Sequence, residues 1–301
     1  MTSTPLFSIL TIALGLVFCP LLPGIISRTK AFFAGRQGPP LLQVYFDLYK
    51  LLRKGAVYSR TTTWIFRAGP VVGLAAVLIA STLMPFGGVS GLFTFDGDFL
   101  LFAYLLGLMR FFTVIAALDT GSSFEGMGAS REVLFSALAE PVLLLALAAV
   151  MRETRLYSLS DILPESASIS AELILVAAAL FAVFLCENAR IPFDDPNTHL
   201  ELTMIHEVMV LDHSGPDFAF ITYAASLKLW LLGSLIVGLT VPVADQPVIV
   251  NLGLAAGGLL LLSVFTGAVE SIMARLRLVR VPQLLVAAGA LSLIAFMFAM
   301  G

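Results

Sequence analysis

The sequence predicts an all-α, polytopic membrane protein with about eight transmembrane helices and one amphipathic helix at the membrane interface. Two observations lead to this fold class. The 301 residues are 59% hydrophobic and only 12% charged, whereas charged residues approach a quarter of a soluble domain. Apolar stretches of about 20 residues recur along the chain, each long enough to cross ~30 Å of hydrocarbon as a helix.

The apolar stretches leave space for short connectors but not for a second soluble domain, so we expect residues 1–301 to form a single integral membrane domain. The first stretch lacks a basic start and is too long for the core of a signal peptide, so it is interpreted as a span. The eight predicted spans are 5–27, 64–86, 98–118, 132–151, 172–189, 217–241, 247–270 and 281–300.

Basic residues are concentrated in alternate connectors. Thirteen of the 17 lie in or beside the connectors after the first, third, fifth and seventh spans. By the positive-inside rule these connectors face the cytoplasm and both termini lie outside. We therefore expect a multi-pass membrane protein with both termini outside the cytoplasm.

The connector after the first span contains an amphipathic segment, LLQVYFDLYKLLRK, at residues 41–54. The preceding GRQGPP cannot continue a helix, so the chain turns before this segment. The segment is either a surface anchor or the rim of a buried cavity. Its polar face holds Gln43, Asp47, Lys50 and Lys54.

The connector LDTGSSFEGMGASRE, residues 118–132, contains three glycines and is expected to be a close-packed turn. The sequence shows no Gly-rich phosphate loop, dinucleotide fingerprint or His/Cys metal pattern. Cys19 and Cys186 are too few and too far apart for a disulfide framework or an iron–sulfur cluster. We expect no cofactor in this chain.

Ionisable residues within or near the ends of the spans are informative, because a charge in the bilayer costs several kcal/mol unless it is paired or solvated. Individually they could be structural ion pairs between helices. Together they favour a polar line through the bilayer, as an ion pathway requires. They are Arg110, Glu140, Glu187, Lys228 and Glu270.

Residues 187–216, ENARIPFDDPNTHLELTMIHEVMVLDHSGP, concentrate six carboxylates and all three histidines of the chain. On a continuous helix, the spacing of seven would place His199, His206 and His213 ~10 Å apart in succession, too far to share one metal. The segment is also too apolar for a solvated loop. A re-entrant or buried helix that carries acids into the protein fits best.

Several motifs resemble the quinone-site membrane subunits of respiratory complex I, the NuoH-like proteins. The resemblance rests on ENARIPFD, GRQGPP with the amphipathic helix after it, the spacing of Arg131 and Glu140, and MARLRLVR. LDTGSSFEGMGASRE, EPVLLLAL and SIMARLRL are most similar to the membrane subunits of group 4 energy-converting hydrogenases and formate hydrogenlyase. The resemblance covers nearly the whole chain.

The resemblance implies a membrane anchor and coupling subunit that links electron transfer in a docked soluble module to proton or sodium translocation. Quinone binding in an NADH dehydrogenase-like complex and a purely structural anchor are the alternatives. Asn197, Thr198 and His199 stand where complex I has loop glutamates, which weakens the case for quinone. The expected proton-path residues are Glu140, Glu187, Asp194, Glu201, Glu207, Arg110 and Lys228, and the expected docking residues are Arg36, Arg190, Arg275, Arg277 and Arg280.

The same resemblance implies soluble hydrogenase-like large and small subunits as partners, with antiporter-like membrane subunits beside the chain. Nickel–iron and iron–sulfur centres are expected in those partners and not in this chain. We also expect the chain to contact the lipid bilayer, and we expect no nucleic-acid partner.

Overall fold

The computed structural model describes residues 5–165, 171–194, 204–241 and 246–300. Within these ranges the chain forms eleven α-helices. They are α1 (Pro5–Phe18), α2 (Leu21–Phe33), α3 (Gln43–Leu52), α4 (Trp64–Leu83), α5 (Asp98–Asp119), α6 (Ser123–Thr154), α7 (Leu159–Glu165), α8 (Ala171–Glu187), α9 (Gly215–Thr240), α10 (Val248–Ile272) and α11 (Val281–Phe298).

Six of the described helices (α4, α5, α6, α9, α10 and α11) are long and apolar enough to cross a membrane. The pair α1 and α2, bent by 44° at a break next to Pro20, makes a seventh if it is one span. Helix α8 has 17 residues, or ~26 Å. The predicted all-α membrane fold is confirmed, and the expected number of about eight spans agrees roughly with this arrangement.

Hydrogen bonds join the connectors in two separate groups. On one side, Val57 N donates to Ser214 Oγ over 3.1 Å, and Leu276 N donates to the Pro192 carbonyl over 3.0 Å. On the same side, Arg131 Nη1 of the third connector donates to the Met204 carbonyl over 2.9 Å. On the other side, Gly97 N donates to the Tyr157 carbonyl over 2.9 Å. The connectors after the first, third, fifth and seventh spans therefore share one surface, here called the basic side, and the opposite surface is called the outer side.

Helix α9 lies at the centre of the bundle and is buried along most of its length. It contacts α3, α4, α8 and α10. Small residues allow some of the close approaches, as in other membrane bundles: a Cβ on Gly267 of α10 would lie 2.7 Å from Thr29 Cβ of α2. The core is therefore built around α9.

Two sequence predictions about boundaries are corrected. The segment predicted as a turn at 118–132 is mostly helical, because α6 begins at Ser123 and extends the fourth span by nine residues on the basic side. The expected close packing is present, since a Cβ on Gly128 would lie 2.3 Å from Val208 Cγ1. The first predicted span, 5–27, is broken, and its second part continues to Phe33.

The connector between α8 and α9 is buried, as expected, but its described part is not a long helix. Ile191 to Asp194 are buried, and a 3₁₀ turn at Glu207–Val210 packs against α6 and α5. Residues 195–203, which include His199 and Glu201, lie outside the described part of the chain.

Candidate functional site: a charged chain beside a central cavity

Arg110 on α5 lies among three carboxylates that come from two other helices. Its Nη1 atom is 2.5 Å from Glu140 Oε1, and its Nη2 atom is 2.5 Å from Glu187 Oε1. Its Nε atom lies 3.4 Å from Glu132 Oε1. The Arg110, Glu132 and Glu187 side chains are buried, whereas the Glu140 side chain is 47% exposed. Arg110 is thus the hub that joins α5, α6 and α8.

The ion pairs continue from this hub in two directions. Lys228 Nζ on α9 lies 3.6 Å from Glu187 Oε2. In the other direction, Glu132 Oε2 lies 3.2 Å from His206 Nε2, and His206 Nδ1 lies 3.8 Å from Asp194 Oδ2. Arg275 Nη2 then contacts Asp194 Oδ1 at 2.8 Å. We call this set the charged chain: Glu140, Arg110, Glu187, Lys228, Glu132, His206, Asp194 and Arg275.

The connector fixes the end of the charged chain that lies on the basic side. Asp194 Oδ2 accepts hydrogen bonds from the backbone N–H groups of Ile205 and His206, at 3.1 and 3.2 Å. Burial alone would raise the pKa of Asp194, but hydrogen bonds and charge from His206, together with the Arg275 charge, hold it below its ordinary value. Asp194 is therefore ionised at neutral pH.

His206 has the opposite shift. Burial alone would lower the pKa of His206, but the nearby Glu132 and Asp194 carboxylates raise it to about 9. The imidazole is therefore protonated at neutral pH and bridges a carboxylate of the connector and a carboxylate of α6.

A central cavity of about 280 Å³ lies beside the charged chain. Val44 of the amphipathic helix α3 and Pro23 of α2 line it, so α3 contributes to the cavity wall in addition to covering the surface. Much of its apolar wall comes from α9 and from the connector turn. Its charged wall is formed by Arg110, Glu132, Glu187, Arg190, His206, Glu207 and Lys228.

A second buried ion cluster lies between α2, α10 and the connector. Lys30 Nζ is 2.8 Å from Glu270 Oε2, and Arg190 Nη1 is 3.5 Å from Glu270 Oε1. The Glu270 side chain is fully buried. Lys30 and Glu270 also line an open groove on the basic side, while Arg190 lines the central cavity. Glu270 therefore belongs to a different ion cluster from the other ionisable residues noted within the spans.

Five of the expected proton-path residues come together in the charged chain, namely Arg110, Glu140, Glu187, Asp194 and Lys228. Glu207 lines the central cavity, and Glu201 falls outside the described residues. Of the residues expected to dock partners, Arg36, Arg277 and Arg280 are exposed on the basic side. Arg190 and Arg275 instead turn inward to Glu270 and Asp194.

The sequence does not predict Glu132 or His206 as residues of the proton path. It predicts Glu132 at the end of a turn, but Glu132 lies in the third turn of α6, about two turns before Glu140. Its distance of eight residues from Glu140 is the signal that could have placed both carboxylates on the Arg110 side of one helix. His206 was weighed only as a metal ligand.

The histidines occupy different environments. His206 belongs to the charged chain, whereas His213 stacks on Phe66 with ring centroids 3.9 Å apart. Burial lowers the pKa of His213 to about 4, so it is neutral at physiological pH. Within the described ranges, no three His, Cys, Asp or Glu residues are arranged to hold a metal ion.

The described residues form six helices that can cross a membrane, or seven with the bent pair, and these helices surround a buried line of charges. This architecture is that of a multi-pass membrane protein. The NADH dehydrogenase family matches residues 6–300, and the chain belongs to this family. Formate hydrogenlyase subunit 4 of Escherichia coli (strain K12) is 34% identical over 294 residues, which cover 92% of each chain. Hydrogenase-4 component C of the same organism is 33% identical and covers 79% of this chain and 75% of that relative.

More distant relatives agree with this assignment. An NADH-quinone oxidoreductase subunit of Syntrophotalea carbinolica is 26% identical over 65% of this chain and 62% of its own length. A chain in the structure of the membrane-bound sulfane sulfur reductase, an archaeal respiratory membrane complex, has the same fold, with a TM-score of 0.85 over 98% of both chains at 20% identity. The family resemblance predicted from the sequence is confirmed, and the relatives are subunits of multi-subunit membrane complexes.

Proposed function

We propose that this chain is the membrane anchor and coupling subunit of a hydrogenase-type complex related to complex I. In this role it links electron transfer in a docked soluble module to proton or sodium translocation. The main support is the continuity of the charged chain, which runs from Arg275 in the connector on the basic side to Glu140. Glu140 lines an open groove between α5 and α6, where a neighbouring membrane subunit can contact it.

The charged chain can transmit a change in charge because its pairs share partners. His206 lies between Glu132 and Asp194, and Arg110 lies between three carboxylates, so loss or gain of one charge changes which pairs are strongest. In a buried setting such interactions are several times stronger than in water. A redox event at the docking face that perturbs Asp194 or His206 would therefore change the strength of the ion pairs at Glu187 and Glu140.

The proposed location is a prokaryotic inner membrane, with the basic side facing the cytoplasm and both termini outside. The excess of Arg and Lys in the connectors of the basic side supports this orientation. The relatives from Escherichia coli support a bacterial type of complex.

The proposed partners are soluble hydrogenase-like large and small subunits, docked on the basic side, and antiporter-like subunits in the membrane. Nickel–iron and iron–sulfur centres would lie in those partners. Exposed Arg36, Arg277 and Arg280 supply a cationic docking face. The inward-facing Arg190 and Arg275 would join this face to the central cavity and to the charged chain.

A second candidate, quinone binding, is favoured by the central cavity. Met109, Met209 and Phe218 offer apolar wall to a ring, and His206 offers a hydrogen-bond partner. The cavity volume of about 280 Å³ is just below the ~300 Å³ at which typical ligand pockets begin, which favours binding of a head group rather than of a whole quinone. Photolabelling with a quinone analogue tests this candidate: labels on α3 or the 204–213 segment support it, and their absence counts against it.

The coupling function is tested in inverted membrane vesicles that contain the whole complex, with hydrogen, formate or NADH supplied as electron donor. Glu187→Gln and Glu140→Gln should abolish proton or sodium uptake while the complex remains assembled. Glu172→Gln is the matched control, since Glu172 lies at the partly exposed start of the helix that carries Glu187. Normal uptake in both Glu187→Gln and Glu140→Gln would refute the coupling function and favour a purely structural anchor.

A further inference from the structure

A second series of polar groups follows α9 from the central cavity towards the outer side. Ser226 and Lys228 line the central cavity. Trp230 and Ser234, one and two turns beyond Ser226, line a smaller cavity that also contacts α1 and α4. Ser234 also lines a third cavity, which reaches Asn251 at the start of α10. The second and third cavities therefore meet at Phe86 and Ser234, whereas the central cavity shares no lining residue with them and approaches the second one turn earlier on α9, between Ser226 and Trp230.

The two smaller cavities have the right size for water. Their volumes of about 20 and 30 Å³ exceed the ~10–15 Å³ of cavity volume that one water molecule requires. The third cavity extends to Gly87 and Gly88 in the connector on the outer side, where Gly88 is exposed. Residues 228 to 240 of α9 cover ~18 Å of membrane depth, at ~1.5 Å per residue.

The polar groups in the cavity walls can bind such waters. Ser234 Oγ donates to the Trp230 carbonyl at 2.8 Å, and Ser81 Oγ donates to the Leu78 carbonyl at 2.6 Å. Each hydroxyl donates its proton within its own helix and retains lone pairs that can accept from a water. Thr11 of α1 adds a third buried hydroxyl to the same cavity wall, so one water there has several polar neighbours.

Two aromatic rings line the smaller cavities. Trp230 lines the second cavity, one turn after Ser226 of the central cavity, and Phe86 lines both the second and the third. The rings pack against each other with centroids 5.4 Å apart. Because the central cavity shares no lining residue with the second, water in the two would join only through a movement of side chains between Ser226 and Trp230, and such a closed resting state prevents a continuous leak.

We propose that this line of cavities along α9, from Lys228 past Trp230 and Ser234 to Asn251, is a proton outlet within this chain that leads to the outer side. The inference rests on the proposed coupling function and specifies where the proton leaves. Glu187 is held as a carboxylate by Arg110 and Lys228, so it takes up a proton from the central cavity only when a redox change weakens these ion pairs. When the pairs form again, Glu187 returns the proton to water, and waters held by the Ser and Thr hydroxyls pass it along α9. The ion that follows this route is a proton, because the small cavities have space for single waters and not for a hydrated sodium ion.

The first experiment replaces Ser234 by Val in the whole complex, reconstituted in liposomes. Valine fills the shared cavity and removes the hydroxyl, so the number of protons moved per electron should fall at least fivefold while the rate of electron transfer is retained. Ser263→Val is the matched control: Ser263 Oγ also donates to the carbonyl four residues earlier, but it lies outside the three cavities. An unchanged ratio in Ser234→Val would overturn the outlet.

The second experiment needs no substitution and decides the question if Ser234→Val does not assemble. Hydroxyl-radical footprinting of the wild-type complex oxidises side chains next to bound water. Phe86 should be oxidised several-fold faster than Phe135, since the two are 6% and 4% exposed and only Phe86 lines these cavities. Equal rates would overturn the outlet.

The two proposals fail in different ways. If Glu187→Gln stops translocation and Ser234→Val does not, the coupling function holds and the outlet lies elsewhere. If translocation is normal in Glu187→Gln and Glu140→Gln, the coupling function itself fails.

Discussion

The basic half and the outer half of the bundle are built from different polar groups. On the basic side of Lys228, buried Arg, Glu, Asp and His residues form the charged chain next to a cavity of about 280 Å³. On the outer side of Lys228, the polar groups that line the two smaller cavities along α9 are hydroxyls, a Trp ring and the Asn251 amide. The boundary lies near the middle of α9.

This difference indicates that the two halves of the bundle have different roles in coupling. Buried charges that share partners respond strongly to a nearby redox change, because their interactions are weakly screened. Hydroxyls and an amide cost less to bury and can hold water without binding a proton permanently. The basic half is therefore suited to sensing and storing charge, and the outer half to passing a proton on.

The largest predicted effect comes from removing the hub of the basic half. Arg110→Met leaves Glu132, Glu140 and Glu187 without their shared cation, and breaking a buried ion pair costs ~3–5 kcal/mol. We expect little assembled complex in membranes, measured by its yield after solubilisation and its Tm. Arg152→Met, at an exposed position on the outer side, should leave both unchanged. A normal Tm for Arg110→Met would contradict the hub assignment.

A smaller effect is expected from overpacking the contact between α6 and the connector. A Cβ on Gly128 would lie 2.3 Å from Val208 Cγ1 and 2.9 Å from the Ile205 carbonyl oxygen. Gly128→Ala should therefore destabilise the protein by ~1–3 kcal/mol, measured by thermal unfolding. Gly126→Ala is the control, because a Cβ there meets no heavy atom within 4 Å, and alanine should stabilise the helix by up to ~1 kcal/mol. A larger loss for Gly126→Ala than for Gly128→Ala would refute this packing.

The two described histidines of the connector should give pH dependences of opposite sign. The pKa of His206 is raised from 6.5 to about 9, so its stabilising charge is fully present below pH 6.5 and is lost as the pH rises through 9. The pKa of His213 is lowered from 6.5 to about 4, so its contribution is lost as the pH falls from 6.5 through 4. His206→Gln should flatten the alkaline side of the Tm profile, and His213→Gln the acidic side.

These profiles are measured on the solubilised complex between pH 4 and 10. Each variant serves as the control for the other. If His206→Gln retained the alkaline loss of Tm, the bridge between Glu132 and Asp194 would be refuted.

The smallest effect on stability is expected at the docking face. Arg277→Ala and Arg280→Ala remove exposed side chains and should change the free energy of unfolding by less than ~0.5 kcal/mol. Association with the soluble module should nevertheless weaken and lose part of its salt dependence. Arg60→Ala, an exposed residue of the first connector on the same side, is the control. Unchanged salt dependence in the double variant would count against this docking face.

Much of the fold follows from the sequence because a span is specified by an apolar stretch of sufficient length. The predicted segments 64–86, 98–118 and 247–270 lie within a few residues of α4, α5 and α10. The start of α6 was predicted nine residues too late, because its first turns are polar and Gly-containing. Hydropathy detects the apolar part of a helix and not the part that extends beyond the bilayer.

The sequence predicts many of the residues in the charged chain, but it does not predict which of them form ion pairs with each other. Arg110, Glu187 and Lys228 are conspicuous as charges in apolar segments. Their pairing depends on the rotation of α5, α8 and α9 about their axes, which one sequence does not specify. The sequence suggests His206 only as a possible metal ligand. Its ion pairs with Glu132 and Asp194 depend on the folded path of the connector, which the sequence does not specify.

The most direct test of coupling through the charged chain concerns Glu132, which alone joins Arg110 to His206 among the described contacts of that chain. The measurement is the number of protons or sodium ions moved per electron by the reconstituted complex carrying Glu132→Gln. Glu125→Gln, a buried change in the first turn of the same helix, is the control. We predict a ratio near zero for Glu132→Gln with continued electron transfer and a normal ratio for Glu125→Gln, whereas a normal ratio for Glu132→Gln would contradict coupling through the charged chain.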